Sequence, residues 1–108
     1  MEPTPLERAP SLRFADAARR LSDATRALGL HAPSFRSPPA DSQVDRSVRR
    51  RRGDVVVAVR VRGRPFAAVL ADMIEGVVVT NRLDAAAAST VRDELWLTVS
   101  PTVGAEAA

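Results

Sequence analysis

The spacing of apolar residues changes period along this chain, and each change marks a different element. Phe14, Leu21 and Leu28 recur every seven residues, with Ala17, Ala18, Ala24 and Thr25 between them and Arg13, Asp16, Arg20, Asp23 and Arg26 opposite. That narrow stripe predicts an amphipathic helix over 11–30, capped by Ser11 after Pro10 and stopped at Gly29. Three large residues cannot stabilise a lone helix, so it must dock. Either it packs on its own domain, or Phe14, Leu21 and Leu28 form a seam with a second copy or a partner helix.

Residues 31–45 hold three Pro and three Ser, with Phe35 as the main apolar group, and read as a proline-rich extended connector. The period then becomes two. Val55, Val57, Val59 and Val61 fall on one face and Val56, Ala58, Arg60 and Arg62 on the other, which predicts a half-buried strand. Upstream, residues 46–51 lead into Arg52-Gly53-Asp54, a tripeptide suited to a turn. A basic β-hairpin is therefore expected, its first strand at a solvent edge where charge deters aggregation.

Helical spacing returns after Pro65, which suits the first turn of a helix. Phe66, Val69, Leu70, Met73, Ile74, Val77 and Val78 predict a mostly apolar, central helix. Gly76 and the β-branched run 77–80 weaken its last turn, and 77–80 as a short strand is the alternative. Asp84 can cap a final helix to about Leu97, with Ala88, Val91 and Leu95 facing inward and Trp96 a further candidate.

The expected class is α+β: an N-terminal helix, the connector, a basic hairpin or single ribbon strand, then two packed helices. Residues 46–100 form the ribbon and two-helix core, with frayed tails at 1–10 and 101–108. So small a ribbon needs cover from the helices and from a second copy of the chain, so a homodimer is expected.

Composition narrows the function classes. The 108 residues contain no Cys and one His, which excludes a disulfide framework, a structural zinc site and an iron–sulfur cluster. No apolar stretch reaches a membrane span and no basic-then-apolar leader opens the chain, so a cytoplasmic protein that does not engage membranes is expected. Catalysis is not expected. His31 sits beside a Pro in a loop, the acids are scattered, and Gly29, Gly53, Gly63, Gly76 and Gly104 are too dispersed for a phosphate loop. Neither a metal nor another cofactor is expected.

Charge is the informative feature. Net charge is +3, but residues 44–64 carry eight Arg against two acids and the remainder eight Arg against eleven acids. All 16 basic residues are Arg, which together with the Ala and Val content matches the coding bias of a GC-rich, bacterial genome. That bias discounts the choice of Arg over Lys, but not the clustering. A basic patch beside a mildly acidic remainder is the footprint of a polyanion binder.

Two resemblances touch this segment. Arg62-Gly63-Arg64-Pro65 is similar to the core of an AT-hook, in which an extended Arg-Gly-Arg lies in the DNA minor groove. The flanks here, Val61 and Phe66-Ala67-Ala68-Val69, fit a strand-to-helix junction better. A strand with Arg on one face followed by two helices resembles the ribbon–helix–helix DNA-binding family over about 55–98. That resemblance implies strand pairing between protomers, with Arg60 and Arg62 facing the major groove. The chain departs from it at Asp84, in its long apolar first helix, and in the helix over 11–29.

The function expected is therefore a small non-enzymatic nucleic-acid binder, regulatory in character. Arg49, Arg50, Arg51, Arg52, Arg60, Arg62 and Arg64 would contact phosphates, with duplex DNA favoured because aromatics for base stacking are few. The rival is an adaptor that binds an acidic protein surface, or a partner helix along Phe14, Leu21 and Leu28.

Overall fold

The computed structural model describes residues 10–39 and 41–101. The elements in chain order are helix α1 (Pro10–Ala27), strands β1 (Ser34–Arg36), β2 (Arg46–Arg51) and β3 (Asp54–Val59), and helices α2 (Phe66–Thr80) and α3 (Ala85–Val99). The class is α+β. Apart from Pro10 and Pro101, the two expected tails lie outside the described residues.

The helix boundaries follow local chemistry. α1 starts at Pro10, one residue before the expected Ser11 cap, where a missing N–H costs nothing. It ends in a Schellman motif: Gly29 at φ 77° donates to the Arg26 carbonyl and Leu30 to the Thr25 carbonyl. Asp84 caps α3, its carboxylate accepting from the Ala87 N–H at 2.8 Å. Residues 77–80 continue α2 as helix, because Val77 and Val78 are buried within the core rather than paired with a strand.

The sheet has the order β1-β3-β2, with β1 parallel and β2 antiparallel to β3. β3 is thus flanked on both sides within one chain. The ribbon–helix–helix arrangement needs that strand free to pair with a second protomer, and here it is not. β1 was not anticipated within the connector. Phe35 makes it a strand by packing inward beside Val57, its register partner, while Ser34 and Arg36 face out.

All three helices contribute to one core. Phe14, Ala17 and Leu21 from α1, Val57 and Val59 from β3, Val69, Leu70, Met73 and Val77 from α2, and Leu95 and Val99 from α3 are buried together. α1 therefore belongs to the main domain. Phe14 and Leu21 lie inside this core and not on an open seam, while Leu28 is 43% exposed. Leu28 follows Ala27, the last residue of α1, and a seven-residue repeat also drifts by about 20° per heptad on a straight helix. Trp96 likewise lies outside the core, with 37% of its surface exposed.

Polar contacts fix the helices to one another and to the strands. Arg13 stacks over the Phe66 ring at 4.3 Å, and Arg92 Nε donates to both Glu75 oxygens at 2.9 and 3.1 Å. Asn81 acts as a clamp on the segment entering β1. Its Oδ1 accepts from the His31 N–H, and its Nδ2 donates to the His31 and Val77 carbonyls, each at 2.9 Å. Replacing Asn81 with Ala deletes all three bonds and is expected to cost about 1–3 kcal/mol in a denaturant titration. Asn81→Asp keeps the acceptor and loses the donor, so it should not restore the wild-type midpoint.

Candidate nucleic-acid interface

A strand puts alternate residues on opposite faces, so the inward set of β2 and β3 determines the outward set. Val48 and Val57 are register partners; Val57 is buried in the core and Val48 packs against it. Ser47, Arg49 and Arg51 on β2 and Val56 and Ala58 on β3 therefore face out, away from the helices. Across the sheet they form two rows, Ser34–Val56–Arg49 and Arg36–Ala58–Ser47. Arg36 and Arg49 stand at opposite edges of the sheet, two strand spacings or about 10 Å apart in the lateral direction, with the small apolar side chains of Val56 and Ala58 between them.

β1 ends and β2 begins at the same end of the sheet, so the connector, described over residues 37–39 and 41–45, lies at that end between the two edge strands. It rises beside the outward face and turns that face into a groove of about 450 Å³, walled by Pro38, Pro39, Ser42 and Val44. Two contacts hold it there. The Arg60 N–H donates to the Asp45 carbonyl at 3.1 Å, and the Arg60 guanidinium pairs with the Asp45 carboxylate at 2.8 Å.

The expected site residues thus separate into two sets. β3 stops at Val59 rather than continuing through Arg62, because the chain bends at Gly63 (φ 76°) and Arg64 donates to the Val61 carbonyl. Arg60 and Arg62 are consequently not outward strand positions. Arg60 ties down the connector. Arg64 is directed inward: it pairs with Asp72 at 2.5 Å and donates to the Arg60 carbonyl at 3.0 Å, with 19% of its side chain exposed. The sequence Arg62-Gly63-Arg64-Pro65 is therefore a junction leading into α2, and its second Arg is occupied.

Arg49, Arg50, Arg51, Arg52 and Arg62 are exposed, and among the described residues none of them forms an ion pair. Arg51 faces Asp54 in register across the hairpin, but their side chains form no ion pair. Arg50 lies on the opposite strand face, near the hairpin tip, where it lines a small cleft with His31 and Thr80. Arg36 joins this unpaired set and was missed. Its polar–Phe–Arg alternation, Ser34-Phe35-Arg36, was the available signal, but the four residues between Pro33 and Pro38 are too few to establish a period.

The hairpin tip has an unusual residue. Arg52 and Gly53 both have positive φ, 53° and 85°, and Arg51 pairs with Asp54, which defines a two-residue turn of type I′. Asn is favoured at the first position of such a turn, whereas Arg there carries a conformational cost. Arg52→Asn is therefore expected to raise stability by about 0.5–1 kcal/mol, or a few degrees in melting temperature. Any polyanion affinity should fall in the same variant. Opposite signs in the two measurements would identify Arg52 as a binding residue rather than a folding one.

Among the described residues, no group of His, Asp and Glu could hold a metal ion, and no helix is long and apolar enough to cross a membrane. No family model matches the chain, and neither a curated protein nor a solved structure is significantly similar to it.

Proposed function

We propose that this chain is a small, non-catalytic nucleic-acid-binding domain that contacts phosphates through the outward face of its sheet and the adjoining hairpin tip. The contacting residues are Arg36, Arg49, Arg51 and Arg52, with Arg50 at the flank. One observation carries the reading: the density of exposed guanidinium groups without an ion pair on the sheet and hairpin tip. Arg19, Arg20 and Arg26 on α1, Arg92 on α3, and Arg60 and Arg64 after β3 all pair with carboxylates of this chain. The six Arg residues of β1, β2 and the tip do not; elsewhere among the described residues Arg62 and Arg82 also form no ion pair, but each stands apart from this cluster in sequence.

Unpaired cations crowded onto one small sheet and its hairpin tip repel each other and weaken the fold, so they call for an external anion. Their geometry suits a backbone of repeated phosphates. A sheet face presents Arg forks at regular spacing, and each fork matches phosphate oxygens bidentately. Phe35 faces inward, so the outward face of the sheet offers no ring for base stacking, and the contacts of that face with a duplex are to its backbone.

Fluorescence anisotropy with a labelled random-sequence DNA duplex at two salt concentrations tests the proposal. Binding that weakens steeply with salt, by about 0.9 log units per log unit of salt for each phosphate engaged, is the expected result. Absence of binding at low salt would overturn it, and recovery of an acidic protein in its place would favour the adaptor reading.

A further inference from the structure

A phosphate-binding surface needs cations but not a groove with an apolar floor, and the outward face has both. Resting on the reading of this face as phosphate-binding, we infer that the groove seats one unpaired nucleotide, its two flanking phosphates held at opposite edges by Arg36 and by Arg49 with Arg51. Three observations support this. The volume, about 450 Å³, falls within the range of small-ligand pockets, about 300–1,000 Å³. The floor, Val56 and Ala58, is small, apolar and only partly exposed. The cations stand on both sides of that floor and not at one end, as the register of the three strands requires.

A ligand with a single anionic head would satisfy one edge and leave the other cation unused. A nucleotide within a strand has a phosphate on each side of its sugar, and its sugar and base can cover the methyl groups between. In an intact duplex the bases are stacked and paired, so a duplex reaches the Arg rim but does not fill the groove. A 3′ or 5′ overhang, a gap or a single strand can fill it. The groove thus adds a preference for unpaired nucleotides to the salt-dependent affinity of the rim. Without a ring for stacking, that preference comes from enclosure and from paired phosphate contacts.

The test is calorimetric titration of the full chain with a deoxynucleoside 3′,5′-bisphosphate, the matching 5′-monophosphate, the nucleoside and inorganic phosphate. The expected order of affinity is bisphosphate, monophosphate, then the last two, with the bisphosphate at least about tenfold tighter than inorganic phosphate. Two variants fill the groove without removing charge: Ala58→Leu on the floor and Ser47→Leu beside it. Each should abolish the tenfold advantage while leaving blunt duplex binding within about twofold. A melting curve on each variant reports whether it folds, and either one that does is sufficient.

A bisphosphate that binds no tighter than inorganic phosphate would overturn the inference, as would an advantage that survives both fillings. If duplex DNA still binds in that case, the proposed function stands and only the groove assignment falls. If the bisphosphate binds in a groove-dependent way and no duplex binds, the groove assignment stands and the duplex reading falls.

Discussion

Gly76→Leu is expected to leave the chain largely unfolded at room temperature, and Gly76→Ala to destabilise it measurably despite a better helix former. Gly76 faces β3 from one turn before the end of α2. A Cβ built there would lie 2.6 and 2.9 Å from the two γ-carbons of Val57, a side chain that is itself fully buried. Val is branched at Cβ and has one strongly preferred rotamer in a packed site, so it cannot swing clear. Alanine in place of glycine within a helix gains about 1 kcal/mol, whereas forcing a methyl into a filled core costs roughly 1–3 kcal/mol. The balance therefore favours destabilisation. Leucine adds three more carbons to the same collision. A small domain has only about 5–15 kcal/mol in total, and this one lies at the low end by size.

A double-mutant cycle separates this steric account from a general loss of helix quality. Val57→Ala alone should destabilise by about 2 kcal/mol or more, through the cavity it leaves. Combined with Gly76→Ala, the two losses should fall short of their sum by about 1 kcal/mol or more, because each relieves the other. Additive losses in chemical denaturation would show that the helix and strand do not meet at this point.

The second large effect concerns binding. Replacing Arg36, Arg49 and Arg51 together with Ala is expected to weaken affinity for a DNA duplex by about two orders of magnitude. Hydrogen bonds to charged groups contribute about 1.5–3 kcal/mol each, but these side chains are exposed and screened, so about 1 kcal/mol apiece is the appropriate scale. The salt dependence should flatten by about 2.7 log units per log unit of salt, since three phosphate contacts are lost. A control with equal charge is available on α1. Arg19, Arg20 and Arg26 are exposed and already paired with Asp16 and Asp23, so their triple replacement removes the same formal charge from another part of the molecule. If both triple variants lost affinity equally, binding would follow net charge, and the sheet face would not be the site.

Much of the fold was legible because it depends on short-range pattern. The strand expected over 55–62 follows from strict alternation, although it ends at Val59, and the central helix follows from seven large apolar residues at helical spacing. The ends of α1 and α3 follow from Gly29 and Asp84. The Arg-Gly turn was readable for the same reason. β1 was not legible, since three residues within a proline-rich segment carry no period, and what makes them a strand is the distant Val57 beside Phe35. The site was legible in part. The cluster from Arg49 to Arg52 stood out by density alone, but density does not show which guanidinium groups find carboxylates. Arg60 and Arg64 resemble their neighbours in sequence, yet Asp45 and Asp72 occupy them.

The sequence by itself therefore determined the kinds of element, the inward face of each long one, and the concentration of positive charge in one segment. These properties depend on residues within a turn or two of each other, and the alternation and helical periods record them directly. Only the tertiary structure decided which Arg residues remain unpaired, that Arg36 joins them from the far edge of the sheet, and that the connector makes a groove of an otherwise flat face. Each of those outcomes depends on which strand lies beside which, and that order is set by the burial of Phe35, Val48 and Val57 against the helices. Contacts between residues far apart in the chain leave no local period to read.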